Sequence, residues 1–354
     1  MRNPKARIYS FDVMRIVAVL SVVLIHAADG FLDPAVNGTA GFLAANFFVS
    51  ISRLAVPIFL MISGALMLDE DKVITQKKML RSAWNIFFLL VVWSVLYAIF
   101  DQGASHFLKD KPFSFNNLIR AIIQGHFHLW YLFVLISLYL ITPVLRLFIK
   151  RDNVKMVGYY LLLVLIIYFC VPFVNYFVDR ITGGENVVSS YVDQYQFCFG
   201  SQYLAFYILG WFLSNVEISQ KRRNILYCCG LLGVVATVLF TKLFYDYPTK
   251  ITNYFHTVAA LPNFFYSVAV FVAIFYWFKD KDLSGHPILL KLSQLSFGVY
   301  IVHSAILSIC LELTSFIDII ALRICLSFVS ASILSFVATF CMSMIPGIKK
   351  LIRS

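Results

Sequence analysis

The chain has 354 residues; 60% are hydrophobic, 17% aromatic and only 13% charged, with a mean hydropathy of +0.82. Soluble domains are about 45–50% apolar and about 25% charged, so these figures exclude a soluble globule, and with it disordered, collagenous and disulfide-rich secreted chains. A polytopic membrane protein remains, in which the net charge of +11 is expected to hold loops on the cytoplasmic side rather than to bind nucleic acid.

A crossing helix needs about 20 mostly apolar residues. Helix is required because lipid offers the backbone no partner. Ten such segments are predicted: 10–31, 41–68, 83–101, 127–148, 156–178, 199–216, 224–245, 258–278, 292–312 and 318–344. The first follows basic residues and precedes Ala27-Ala28, as a cleaved signal would. Asp12 and Arg15 interrupt its apolar region, so it reads as a retained span. The loop before the fourth span carries a short apolar-polar run, Asn117 to Gln124, that reads as an interfacial helix. No repeat, linker or soluble unit separates the spans, so one all-α domain is expected over 1–354.

The charges test the count. With a cytoplasmic N-terminus and ten spans, twenty Lys and Arg fall on inner segments and five (Lys109, Lys111, Arg120, Arg180, Lys250) on outer ones. The bias alternates at every loop, as the positive-inside rule demands, and both termini are then cytoplasmic. The remaining four, Arg15, Arg53, Lys242 and Arg323, lie within spans. Lys242 and Arg323 sit about one turn from the outer surface and are expected to snorkel. Arg323 also has Glu312 and Asp318 as candidate partners.

Arg15 lies in the inner half of the first span, within reach of the cytoplasm or of Asp12 one turn earlier. Arg53 lies near mid-depth of the second, where a charge belongs in the bundle interior or a wet cavity. His26 follows Arg15 by eleven residues, about 16 Å along the axis and close to three whole turns. Both therefore point to roughly one face, which suits a path through the membrane. His303 has no acid near it in sequence. His126 and His128 form an HxH pair beside Trp130 and Tyr131, which suit the interface belt; a third ligand is missing, so no metal is expected. His106, His256 and His286 read as loop or span-edge residues. The seven cysteines show no metal or redox spacing and are assigned to packing.

Four patches then fall in a recognisable order. They are Arg15, ten residues and His26; Ser52-Arg53-Leu54-Ala55-Val56-Pro57 through Ser63-Gly64; His128-Leu129-Trp130-Tyr131-Leu132 with Tyr139-Leu140-Ile141-Thr142-Pro143; and Ser296-Phe297-Gly298-Val299-Tyr300 with His303. Together they resemble the membrane-bound acyltransferase-3 family, which acylates surface glycans, and in particular bacterial O-acetyltransferases of the enterobacterial common antigen type. The pattern departs at Val56, where some larger members carry a second arginine. Larger members also add an esterase-like domain; without one the membrane module must complete the transfer or hand its product on.

The resemblance implies a multi-pass protein of the bacterial plasma (inner) membrane. It implies transfer from cytoplasmic acyl-CoA, with acetyl-CoA the expected donor and no metal, to a hydroxyl of a cell-surface glycan or its lipid-linked precursor. His26 is the expected catalyst, as general base or as transient acyl carrier. Arg15 and Arg53 are expected on the donor's phosphates or the reaction's oxyanion. His303, Trp130 and His128 are expected to contact substrate. The alternative is an exporter or flippase that transfers no acyl group.

Overall fold

The computed structural model describes residues 8–33, 37–109, 114–182, 200–245 and 254–352. The basic residues Arg2, Lys5, Arg7, Lys111, Lys250 and Arg353, together with Cys198, lie outside them. Among the described residues there is no strand, and the fold is an all-α, multi-pass membrane bundle. Nine helical stretches among the described residues are long and apolar enough to cross a membrane.

Helix α1 (Tyr9–Asp29) is the first span. The second is broken into α2 (Ala40–Ser52) and α3 (Ala55–Met67), with Arg53 and Leu54 at the break. Pro57 causes it. Proline has no N–H to offer the carbonyl four residues back, which is that of Arg53. The third span is α4 (Gln76–Lys109). The interfacial helix is present as α5 (Phe115–Gln124), capped by the Ser114 hydroxyl and with no buried residue. Gly125, at φ +70°, turns the chain into the fourth span, α6 (Trp130–Phe148). The fifth span is α7 (Val154–Leu165) continued through a π turn at Ile166–Cys170 into α8 (Val171–Thr182).

The sixth expected span differs. It is α9 (Gln202–Asn215), only 14 residues long, or about 21 Å at 1.5 Å per residue. It is the least lipid-like helix, with Phe206, Tyr207 and Trp211 fully buried. A helix wrapped in protein need not match the hydrocarbon thickness by itself. The remaining spans are α10 (Gln220–Phe244), α11 (Leu261–Phe278), α12 (Pro287–Leu313) and α13 (Ile320–Met344).

Packing fixes how many times the chain crosses. Ser293, early in α12, donates to Asp12, early in α1, at 2.6 Å. His303, later in α12, stacks on His26, late in α1. The two helices therefore run in the same direction. Were the nine long stretches the only passages, α12 would be the eighth and would oppose α1. Counting α9 makes it the ninth. Accordingly α9 runs opposite to the fifth span: Phe212 meets Gly158 near one end, and the Gly200 N–H bonds the Tyr168 hydroxyl (3.1 Å) near the other.

At the end of the bundle that the charge rule assigns to the cytoplasm, Arg146 ties down the loop after α3. It donates to the carbonyls of Met67, Asp69 (both 2.8 Å) and Lys72 (2.7 Å). Arg151 pairs with both oxygens of Asp71, at 3.0 and 2.6 Å, and holds that carboxyl below its ordinary range. These arginines organise a loop as well as contributing to the charge bias. Arg323 does not pair with Glu312 or Asp318. It donates to the Leu311 carbonyl (3.0 Å) and lies over Phe31, its shallow position letting the backbone serve as partner. The six described cysteines are free.

Helices α3 and α9 touch backbone to backbone. A methyl group at Gly64 would overlap the Tyr207 carbonyl, and one at Gly210 would overlap that of Met61. Neither obstacle is a movable side-chain end. Gly210→Ala is therefore expected to cost at least the ~1–3 kcal/mol typical of overpacking, read as a lower thermal midpoint in detergent, whereas Gly103→Ala, in open space, leaves it unchanged.

Candidate active site

Asp12, buried at 1% exposure, accepts from Arg15 (3.2 Å) as well as from Ser293. The local pairing expected for Arg15 is thus present, and it is anchored to α12. Lys72 lies close enough for its charge to interact with Arg15, Lys78 and Arg146. One end of α1 is therefore set among cations.

The other end carries imidazoles. The His26 ring stacks on His303 at 5.4 Å between centroids and 24° between planes, and meets the Phe127 ring edge-on at 5.1 Å. His26 faces α12, while Arg15 is held by Asp12, itself bonded to Ser293 of α12, with Lys72 and Tyr139 within reach of its charge. His303 is fully buried. Its Nδ1 lies 2.6 Å from the Tyr300 carbonyl, and a carbonyl only accepts, so Nδ1 carries the proton. The Nε2 lone pair is then bare, and it has no hydrogen-bond partner among the described residues.

Arg53 is not beside Arg15. It bonds Asp29 at the far end of α1 (3.3 Å), seventeen residues or about 25 Å from Asp12 at the helical rise. There its charge interacts with His26 and with His256. The break at residues 53–54 leaves the Arg53 side chain mostly enclosed, and its Nε–H is buried without a partner among the described residues. The structure thus brings together His26, His303 and Arg53, and sets Arg15 apart.

His128 reaches the same cluster: its ring lies edge-on to His303 at 5.1 Å. Both its nitrogens are engaged, Nε2 by the Ile301 carbonyl (3.2 Å) and Nδ1 by His126 Nδ1 (2.6 Å). Its own carbonyl accepts from Tyr300 at 2.5 Å. Trp130 packs on Tyr203 at 5.6 Å and Tyr131 at 6.4 Å, with no ring contact to the imidazoles.

Several residues here were not singled out from the sequence as site residues. Asp29 stands three residues after His26, and Ser293 ten before His303. His126, weighed only as half of a metal pair, stacks on Tyr97 at 4.2 Å. No cluster of three or more metal-ligating side chains occurs among the described residues. His256 lies on a short turn, Tyr254–His256, at the span edge as expected, but it is buried, with Nε2 near Asn46 (3.2 Å) and Ser50 (3.4 Å). Only the fold could pair it with α2, some 210 residues away.

The helical bundle thus encloses an imidazole pair and a buried arginine with a free N–H at one end of α1 and Arg15 with Lys72 at the other. A family model, the acyltransferase domain, matches residues 8–347. The chain belongs to that acyltransferase-3 family. No curated protein and no solved structure matches it.

Tyr300→Phe removes the donor to the buried His128 carbonyl. It is expected to lower stability by about 1–3 kcal/mol, the cost of an unsatisfied buried acceptor, measured as a shift in thermal midpoint.

Proposed function

We propose that the protein moves an acyl group, acetyl by expectation, from cytoplasmic acyl-CoA to a hydroxyl of a cell-surface glycan or its lipid-linked precursor, at the bacterial plasma membrane. The observation that carries this reading is the enclosed group of His26, stacked on His303 and within electrostatic reach of Arg53, in an acyltransferase fold.

A sugar hydroxyl is a poor nucleophile near neutral pH, so its proton must leave as it attacks. His26 takes that proton while the hydroxyl oxygen bonds to the thioester carbon. The bare Nε2 of His303 is a fixed acceptor beside it, suited to a neighbouring hydroxyl of the same sugar, because the attacking hydroxyl has one proton to give. Negative charge gathers on the former carbonyl oxygen, and the free Nε–H of Arg53 is a donor for it. Collapse breaks the C–S bond, and the departing thiolate recovers the proton from His26. Should His26 instead carry the acyl group, the same residues serve, with an acyl-imidazole between the two halves.

The cations around Lys72 and Arg15 suit the phosphates of CoA on the cytoplasmic side. Arg53, about 25 Å from there along α1 by helical rise, suits the oxyanion better than the phosphates. His128, with every polar atom engaged, supports His303 and His126 more plausibly than it binds substrate.

His26→Ala is expected to reduce acetyl-CoA-dependent acetylation by about 10²–10⁴-fold, the usual contribution of a general base, in a protein that still folds and inserts. Mass spectrometry of surface glycans and a free-thiol assay on purified protein measure it. Full activity in the variant removes His26 as catalyst, and a wild-type protein that releases no CoA is an exporter. Arg53→Lys keeps the charge but loses the planar fork. It should lower kcat while leaving the KM for acetyl-CoA unchanged; a raised donor KM with unchanged kcat would return Arg53 to the phosphates.

A further inference from the structure

Beside the imidazoles lies a half-open crevice of about 240 Å³, bordered by Ala98 and Asp101 of α4, Gln124 of α5, and Gly125, His126 and Phe127. Drug-sized pockets measure about 300–1,000 Å³, so this one has room for about one sugar-sized ring. Among the described residues no lysine or arginine lines it, which gives phosphate no partner there.

Its polar wall is short of protons. The Ile301 carbonyl fixes the proton of His128 on Nε2, leaving Nδ1 bare. His126 must then donate from its own Nδ1 across the 2.6 Å contact. In neutral His126 the remaining nitrogen, Nε2, is a lone pair, and it stands 3.6 Å from Asp101 Oδ2. Two acceptors therefore stand side by side on one wall, with the Gln124 amide as a side-chain donor at the rim. Neighbouring hydroxyls would satisfy both, because each has a proton to give. Phe127, 61% exposed, offers an aromatic surface for the C–H side of a ring. The same Phe127 ring touches His26, so whatever fills the crevice lies one side chain from the catalyst.

We propose that this crevice is the acceptor subsite and holds one pyranose ring, with Asp101 and His126 accepting from adjacent hydroxyls, Gln124 at the rim and Phe127 against the ring. The assignment rests on the acyl-transfer reading for its role. Its binding chemistry is tested without any turnover.

The test uses the full-length protein in lipid nanodiscs carrying Gln124→Cys. Maleimide labelling at position 124 is followed by peptide mass spectrometry, which separates it from the native cysteines. Probes are methyl glucopyranoside, mannopyranoside, rhamnopyranoside and N-acetylglucosaminide, with ethylene glycol as control. At least one pyranoside is expected to slow labelling several-fold where ethylene glycol does not. Asp101→Asn, isosteric and at an exposed site, should abolish the protection; His26→Ala should retain it. Equal labelling with and without every pyranoside, or protection indifferent to Asp101→Asn, overturns the subsite. Acetyl-CoA turnover, measured in parallel, separates the two claims. Turnover without protection sinks the crevice alone, and protection without turnover sinks the transfer reading alone.

Discussion

Helices α1 and α12 are held face to face by the polar residues that neither can expose to lipid. Asp12 with Ser293 closes one end of the seam, and His26 with His303 closes the other. An uncompensated charge or lone pair in hydrocarbon costs several kcal/mol, so this pairing sets the register and direction of the two helices. From it follow the odd number of passages that α12 must occupy and the crossing of the short α9. The elements that stabilise the bundle here are the same ones that carry its chemistry.

The break in the second span serves that seam. A continuous helix would satisfy the Arg53 carbonyl and leave its guanidinium on a regular surface. Pro57 prevents this, and the chain bends at residues 53–54 with Arg53 turned toward Asp29 and His26. Its Nε–H is left unbonded. Such an unfilled donor in a protein interior is costly in the resting state. On the proposed mechanism it becomes favourable when a negatively charged oxygen forms next to it, as preorganised donors do in acyl transfer.

Much of this was legible in the sequence because a bilayer punishes error on a length scale the sequence displays. Runs of apolar residues gave the spans, and the local pairing of Arg15 with Asp12 was visible one helical turn apart. The interfacial helix was visible in Asn117 to Gln124. What could not be read were relations between distant segments. Arg53 was grouped with Arg15 because both are buried arginines, and only the packing of α2 beside the end of α1 separates them. His256 resembled a loop residue because its partners, Asn46 and Ser50, lie near the other end of the chain. The length of α9 was misjudged because its apolar residues answer to neighbouring helices rather than to lipid.

The electrostatic contrast between the two ends of α1 gives the bundle a direction. One end gathers Arg15, Lys72, Lys78 and Arg146, donors suited to polyanions. The other is lined by Asp101, His126 and the bare nitrogen of His303, acceptors suited to hydroxyls. The first end also holds Asp12 and Asp69 and the second also holds Arg53, so the contrast is one of excess: cations outnumber carboxylates at the first, and a neutral polyol can complete the hydrogen bonding of Asp101 and His126 at the second. If each substrate meets its complementary end, the two approach from opposite faces of the membrane. On the proposed direct transfer the thioester itself must reach His26, so the donor's uncharged thiol arm has to span the distance from the cationic end while its phosphates stay behind, since apolar surroundings penalise charge far more than a neutral chain.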